Sequence, residues 1–154
     1  VGKRHPNLSL KLFDLPAVAD RAKLRFERAG FSDRAQTFGG DFTSTPLPQG
    51  ADVATLVRVL LDHDDARVSS ILQNVHAALA PGAMLVMAEP IGGLAGAETV
   101  GDAYFGFYLL AMGKGRARSF QELKELLEAQ GFTSVAQKTT RRPLMTGLLT
   151  AVRA

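Results

Sequence analysis

Leu61-Asp62-His63-Asp64-Asp65 gathers one imidazole and three carboxylates within five residues. An imidazole titrates near neutrality, so His63 is a candidate general base, with Asp62 beside it to orient the proton transfer. A metal would need further ligands at helical spacing, and none follows, so no metal site is expected. Asp65 reads as the N-cap of a helix opening there. Asp14, in Phe13-Asp14-Leu15-Pro16, and Asp41, in Gly39-Gly40-Asp41-Phe42, are carboxylates of another kind. The first can accept both hydroxyls of a ribose and the second an exocyclic amine. Gly40 lets the backbone come close to a ligand, and Phe42 offers a flat face to a heterocycle. Glu89 follows five apolar residues and precedes Pro90, so it must be satisfied by donors of the fold or lie in a site.

These groups share one place in the element order. Residues 8–13 alternate apolar and polar and stop at Asp14-Leu15-Pro16, a strand ending in a turn. Residues 17–29 carry Val18, Ala22, Leu24, Phe26 and Ala29 at roughly helical spacing before Gly30. A strand over 35–38, a turn at Gly39-Gly40, a strand over 52–60, a helix over 65–79 ended by Pro81-Gly82, and a buried-type strand over 84–89 follow. This alternation predicts an α/β fold with a mostly parallel sheet and right-handed crossovers. Ligands of such sheets bind outside the carboxyl ends of the strands, where Asp14, Asp41, His63 and Glu89 all fall. Residues 98–112 predict a helix with Tyr104, Phe105, Phe107 and Tyr108 on more than one face, so water cannot surround it entirely. Ser119 and Glu122 form a capping box at the head of a helix over 119–130, and Gly131 lies at its end. Residues 132–140 and 146–152, joined through Arg141-Arg142-Pro143, predict an antiparallel hairpin closing the sheet.

The composition of the 154 residues, 46% hydrophobic and 21% charged, excludes a disordered chain or a coiled coil, and no repeat or linker divides it, so one domain is expected. No apolar run reaches the roughly 18 residues of a membrane span, and residues 1–6 lack the apolar core of a signal peptide. The absence of cysteine excludes disulfide scaffolds and thiolate zinc sites and fits a cytoplasmic chain. The net charge is +3, but the 18 Lys and Arg are dispersed and no aromatics interleave with them, so no nucleic-acid platform is expected. No Gly-x-Gly-x-x-Gly loop follows the first strand, which argues against a nicotinamide-dependent oxidoreductase.

Phe13-Asp14-Leu15-Pro16, Gly40-Asp41-Phe42, the run 59–65, the stretch 74–82 reading NVHAALAPG, Ala88-Glu89-Pro90 and Gln130-Gly131-Phe132 stand in an order and spacing that resemble one family over nearly the whole chain. That family is the S-adenosylmethionine-dependent small-molecule O-methyltransferases of caffeate and acetylserotonin type. The resemblance implies a Rossmann-like sheet and an S-adenosylmethionine site, with S-adenosylhomocysteine as product. It implies that Asp14 and Leu15 hold the ribose, that Gly40, Asp41 and Phe42 hold the adenine, and that Arg58 also serves the cofactor. In the family the loop after the third strand usually reads histidine-aspartate-tryptophan, and the aligned positions here are Leu61, Asp62 and His63. The family base is thus replaced by Leu61, with His63 the nearest imidazole. Glu89 matches one of two glutamates that position the base, and Ala117 aligns with the other. Residues 56–63 and 101–119 are similar to the bacterial carotenoid branch, the hydroxyneurosporene O-methyltransferases. A hydroxylated polyene substrate, bound by Tyr104, Phe105, Phe107, Tyr108 and Met112, is therefore expected, with transient contact to a membrane surface. The resemblance further implies a homodimer in full-length form, and that this chain is the C-terminal part of a catalytic domain. On that reading it begins just past the family's first strand and glycine-rich loop, and its first six residues end the helix that follows the loop.

Overall fold

The computed structural model describes residues 1–93, 98–140 and 146–154, so Arg141-Arg142-Pro143, the expected hairpin connection, lies outside the described residues. The chain divides into two compact units, Val1–Gln49 and Gly50–Ala154.

In the first unit a strand, helix and strand form one parallel crossover: β1 (Leu10–Asp14), α1 (Pro16–Arg28) and β2 (Ala35–Gly39). Pro16 opens α1, where a missing N–H costs nothing, and Gly30, at φ +74°, lets the chain leave the helix. The register runs from Leu10↔Ala35 to Asp14↔Gly39, so the two strands end level. Arg34 stacks over the Phe31 ring at 4.5 Å and donates to the carbonyls of Gly2 and Leu8, both at 2.8 Å, tying the turns of residues 1–8 to the strand pair. Val18 and Leu24, two of the apolar positions of α1, stay exposed.

The second unit holds β3 (Ala51–Val57), a 3-10 turn at Leu60–Asp62, α2 (Asp65–Ala78), β4 (Leu79–Glu89), β5 (Ile91–Gly92), α3 (Glu98–Met112), β6 (Arg118–Ser119), α4 (Phe120–Ala129), β7 (Phe132–Lys138) and β8 (Gly147–Arg153). Its sheet has the order β3-β4-β8-β7, with β3 parallel to β4 and β8 antiparallel to both of its neighbours. The mostly parallel α/β expectation and the C-terminal antiparallel hairpin are both present. The cross-strand pairs Leu85↔Ala151 and Met87↔Leu149 share one buried face. Val68, Ile71, Leu72 and Val75 bury one stripe of α2, and Leu123, Leu127 and Phe132 join the core. Each fully buried side chain of this size contributes roughly 1.5–3 kcal/mol relative to exposure. No helix among the described residues is long and apolar enough to cross a membrane.

Three boundaries differ from the sequence expectation. The third strand ends at Val57, because Arg58 takes φ +53° and the chain then winds into the 3-10 turn. The N-cap of α2 is Asp64, whose carboxylate accepts from the Arg67 N–H at 2.8 Å; Asp65 is the first helical residue and turns its side chain to arginines of another segment. Pro81-Gly82 do not end α2 but lie within β4, where the register shifts between Ala51↔Leu79 and Val53↔Met84; a proline has no N–H for the ladder and is tolerated at such an irregularity.

The capping box of α4 forms as expected, with the Ser119 N–H donating to Glu122 Oε2 at 2.8 Å and the Glu122 N–H to Ser119 Oγ at 3.3 Å. The Ser119 backbone, with Arg116 and the Ser119 hydroxyl, holds the Glu122 carboxyl down to about 2. A carboxyl depressed in the folded state contributes stability above its unfolded value and loses it as pH falls through the folded one. Acid unfolding should therefore steepen between the ordinary carboxylate range and pH of about 2. In Glu122→Gln, urea-unfolding free energies should lie below wild type at neutral pH and converge on it in acid; a gap that does not close with acidification would rule out this linkage.

Candidate active site

Parallel pairing brings Asp14 and the start of the Gly39-Gly40-Asp41-Phe42 turn to one edge of the first unit, with the Gly40 N–H donating to the Asp14 carbonyl at 3.0 Å. Asp14 Oδ1 accepts from the Leu15 N–H at 2.8 Å. Asp41 Oδ1 accepts from the Thr43 N–H at 2.8 Å and the Thr43 hydroxyl at 2.6 Å, while the Asp41 N–H donates to Thr45 Oγ1 at 3.1 Å. The turn is thus set before any ligand arrives. The glycines are also required by the turn's own packing. A Cβ on Gly40 would lie 2.7 Å from Phe13 Cζ and from Thr45 Cγ2, and one on Gly39 would lie 2.9 Å from Pro16 Cα. Their small size serves the chain's own packing. A recess of about 400 Å³ in this unit, lined by Lys23, Phe26, Glu27, Gln36, Thr37 and Phe38 among others, includes none of the predicted site residues.

In the second unit the loop of residues 58–65 leaves the carboxyl end of β3. Its first residue, Arg58, is held in the left-handed region, with its N–H on the Ala88 carbonyl at 2.9 Å and its guanidinium 5.9 Å from the Phe105 ring centre. A non-glycine residue in that region is strained, and such strain persists only where the surroundings over-determine it. Here they do. Glu89, 2% exposed, accepts through Oε1 from the Val59 N–H at 2.7 Å and the Leu60 N–H at 3.1 Å. Burial pushes the Glu89 carboxyl above its ordinary value, and these backbone donors pull it partly back. Arg118, also 2% exposed, donates to the Leu60 carbonyl at 3.0 Å, the His63 carbonyl at 2.7 Å and Asp65 Oδ1 at 2.8 Å. Arg116 bridges Asp65 at 2.9 Å and Glu122 at 2.6 Å. Arg116 and Arg118 were not foreseen as site residues; the surplus of carboxylates at 62–65 was the signal that cations from elsewhere in the chain must approach.

Burial, together with the charges of Arg67 and Lys114, lowers the His63 imidazole from its ordinary value against the opposite pull of Asp62 and Asp64. The ring is therefore neutral at pH 7, the form that accepts a proton. Asp62 Oδ1 is buried and, among the described residues, meets no hydrogen-bond donor. The Tyr108 phenol is raised first by the negative charge of Asp62 and then by its hydrogen bond to it. Tyr108 thus joins the loop. Phe105 is buried, with the Tyr104 ring edge-on to it at 5.1 Å, whereas Phe107 is 75% and Met112 48% exposed. Of the expected substrate side chains, Phe105 lies by Arg58, Tyr104 packs on Phe105, and Tyr108 interacts with Asp62, while Phe107 and Met112 are largely exposed. Leu61 is buried at the position between these groups.

A neutral imidazole beside a carboxylate on a braced loop can take a proton from a hydroxyl, and each carboxylate of the first unit can receive hydroxyl or amine donors. Demethylspheroidene O-methyltransferase of Rhodobacter capsulatus is 46% identical over 99% of this chain and 37% of its own length. The protein of the same description from Cereibacter sphaeroides is 43% identical over 99% of this chain and 40% of its own. The crystal structure of LaPhzM superposes with a TM-score of 0.88 at 29% identity, covering 99% of this chain and 45% of that one. The chain thus spans less than half the length of these relatives. The profile of the O-methyltransferase domain matches residues 1–133, a span that takes in Asp14, Asp41, His63, Glu89 and Arg118, and the chain belongs to that family.

Proposed function

We propose that the protein to which this chain belongs transfers a methyl group from S-adenosylmethionine to a hydroxyl of a long apolar molecule, a hydroxylated carotenoid. The observation that carries this reading is the 46% and 43% identity, over 99% of the chain, to two demethylspheroidene O-methyltransferases. The residues present fit the cofactor in part. Within the first unit, Asp14 and Asp41 offer carboxylates at one strand edge for ribose hydroxyls and an adenine amine, with Leu15, Gly40 and Phe42 beside them; the family resemblance alone assigns Arg58 of the second unit to the cofactor. When bound, S-adenosylmethionine supplies an electrophilic methyl on a sulfonium and leaves as the neutral thioether S-adenosylhomocysteine. The chain's own part is to hold the acceptor oxygen in line and remove its proton. Positioning contributes roughly 7–11 kcal/mol to such reactions and a general base about 10²–10⁴-fold. Neutral His63 is the proton acceptor, Asp62 orients it with Tyr108, and Glu89 braces the loop from beneath. Tyr104 and Phe105 supply apolar surface beside it.

Leu61 at the family's base position and Ala117 in place of its second glutamate favour a second reading, a cofactor-binding or assembly module without turnover. One experiment separates the two. The full-length protein is titrated with S-adenosylhomocysteine by calorimetry and assayed with S-adenosylmethionine and a hydroxylated carotenoid. Micromolar binding, about −8 kcal/mol, with a methyl ether formed supports the enzyme, binding without turnover of any hydroxylated acceptor supports the module, and no binding ends both. In the active protein, His63→Ala should lower kcat by about 10²–10⁴-fold with product affinity unchanged. An unaltered kcat would remove His63 from the mechanism.

A further inference from the structure

Glu89 and Arg118 are the buried charged side chains among the described residues, and both hydrogen-bond the same loop, Arg118 also donating to the Arg116 carbonyl at 3.3 Å. Glu89 takes the N–H groups of Val59 and Leu60, and Arg118 takes the carbonyls of Leu60 and His63. The Leu61 carbonyl between them receives the Arg116 N–H at 3.0 Å. A Cβ on Gly115 would lie 2.3 Å from that same oxygen, so residues 115 and 116 run directly against the backbone of the loop. The two anchors are also registered to each other, because β5, two residues beyond Glu89, pairs Ile91 with Arg118. A buried guanidinium is costly to place unless its fork is filled, and here one face of it holds Asp65 and the rest holds peptide oxygens.

We propose that Arg118 is a positioning residue for methyl transfer: its guanidinium, neutralised by Asp65 and aligned by the β5–β6 pairing, sets where the Asp62-His63 segment stands relative to the acceptor hydroxyl. It touches neither substrate nor cofactor and acts through the peptide groups that flank the imidazole. This rests on the methyltransfer reading. Lysine carries the charge of arginine but not its planar fork, so a single ammonium cannot hold Leu60, His63 and Asp65 at once. Asp65, half exposed, can be changed with less risk to folding.

The test is kinetic, in the full-length protein, on Arg118→Lys and Asp65→Asn. Arg118→Lys should lower kcat by about 10–100-fold, as a small misplacement of a catalytic group does. KM for S-adenosylmethionine and the affinity for S-adenosylhomocysteine should stay within about twofold, because the interaction lost is one made in the transition state. Asp65→Asn should move kcat the same way by a smaller factor. Folded variants with wild-type kcat would overturn the proposal, and so would kcat and product affinity falling in step, which is the mark of general loosening. If Arg118→Lys does not fold, Asp65→Asn decides by the same criteria. Should the wild-type protein neither bind S-adenosylhomocysteine nor methylate, the functional reading fails first and takes this role with it; an active wild type with indifferent variants sinks the role alone.

Discussion

Glu89→Ala should destabilise the full-length protein by about 3–5 kcal/mol, since it strips two buried backbone donors of their acceptor. Val59 and Leu60 sit where β3 has ended and the 3-10 turn begins, so neither strand nor helix supplies another partner, and Glu89 Oε1 meets both N–H groups at 2.7 and 3.1 Å. Glu89→Gln separates the hydrogen bonds from the charge. It keeps the accepting oxygen and should remain within about 1 kcal/mol of wild type at neutral pH, as expected when a buried acceptor is retained. The pH dependence carries a definite sign. Burial raises the Glu89 carboxyl in the folded state, so between its unfolded and folded values the native protein holds more protons than the unfolded one. Stability must then fall as pH rises through that window. The glutamine variant lacks this penalty, so its stability relative to wild type should improve as pH rises through that window and then level off. Urea unfolding of both variants across pH checks each part. An alanine variant as stable as wild type would show that the two donors find other partners, and the bracing role would be lost.

Gly115→Ala should be nearly as damaging, by about 3–5 kcal/mol when left-handed strain and overpacking are combined. Gly115 has φ +90°, and the added Cβ would stand 2.3 Å from the Leu61 oxygen and 2.9 Å from Asp62 Cα, both backbone atoms that cannot rotate aside. Gly113 provides the control inside the same segment. It too has a positive φ, +71°, but nothing lies within 4 Å of a Cβ there. Gly113→Ala should therefore cost only about 1–2 kcal/mol, the conformational part alone. The difference between the variants measures how tightly residues 113–118 press on the loop. Gly115→Ala should also lower kcat, because relief of the clash moves the Leu61 carbonyl away from the Arg116 N–H. Equal losses from the two substitutions would mean that the segment yields and does not set the loop.

Local chemistry made much of this protein legible before any coordinates. The capping box of Ser119 and Glu122 and the bounds of α3 follow from side-chain and backbone preferences that act over three or four residues. The parallel strands ending at Asp14 and Gly39 follow from alternation stopped by proline and glycine, and the same alternation placed Asp14 and Glu89 at strand ends and Asp41 just past one. Signals of the same range misread Asp65, because the sequence offers two adjacent carboxylates for one cap and only the approach of Arg116 and Arg118, 51 and 53 residues later, draws the second away. They gave no sign that a side chain at Gly40 would run into Phe13 and Thr45. They gave no sign of Arg118, since a dispersed arginine reads as a solvated charge until a particular set of carbonyls closes around it. Periodicity, caps and breakers are properties of neighbours along the chain. Which charge is buried, and which glycine is pressed against another backbone, depends on segments brought together from far apart, and there the tertiary structure alone decided.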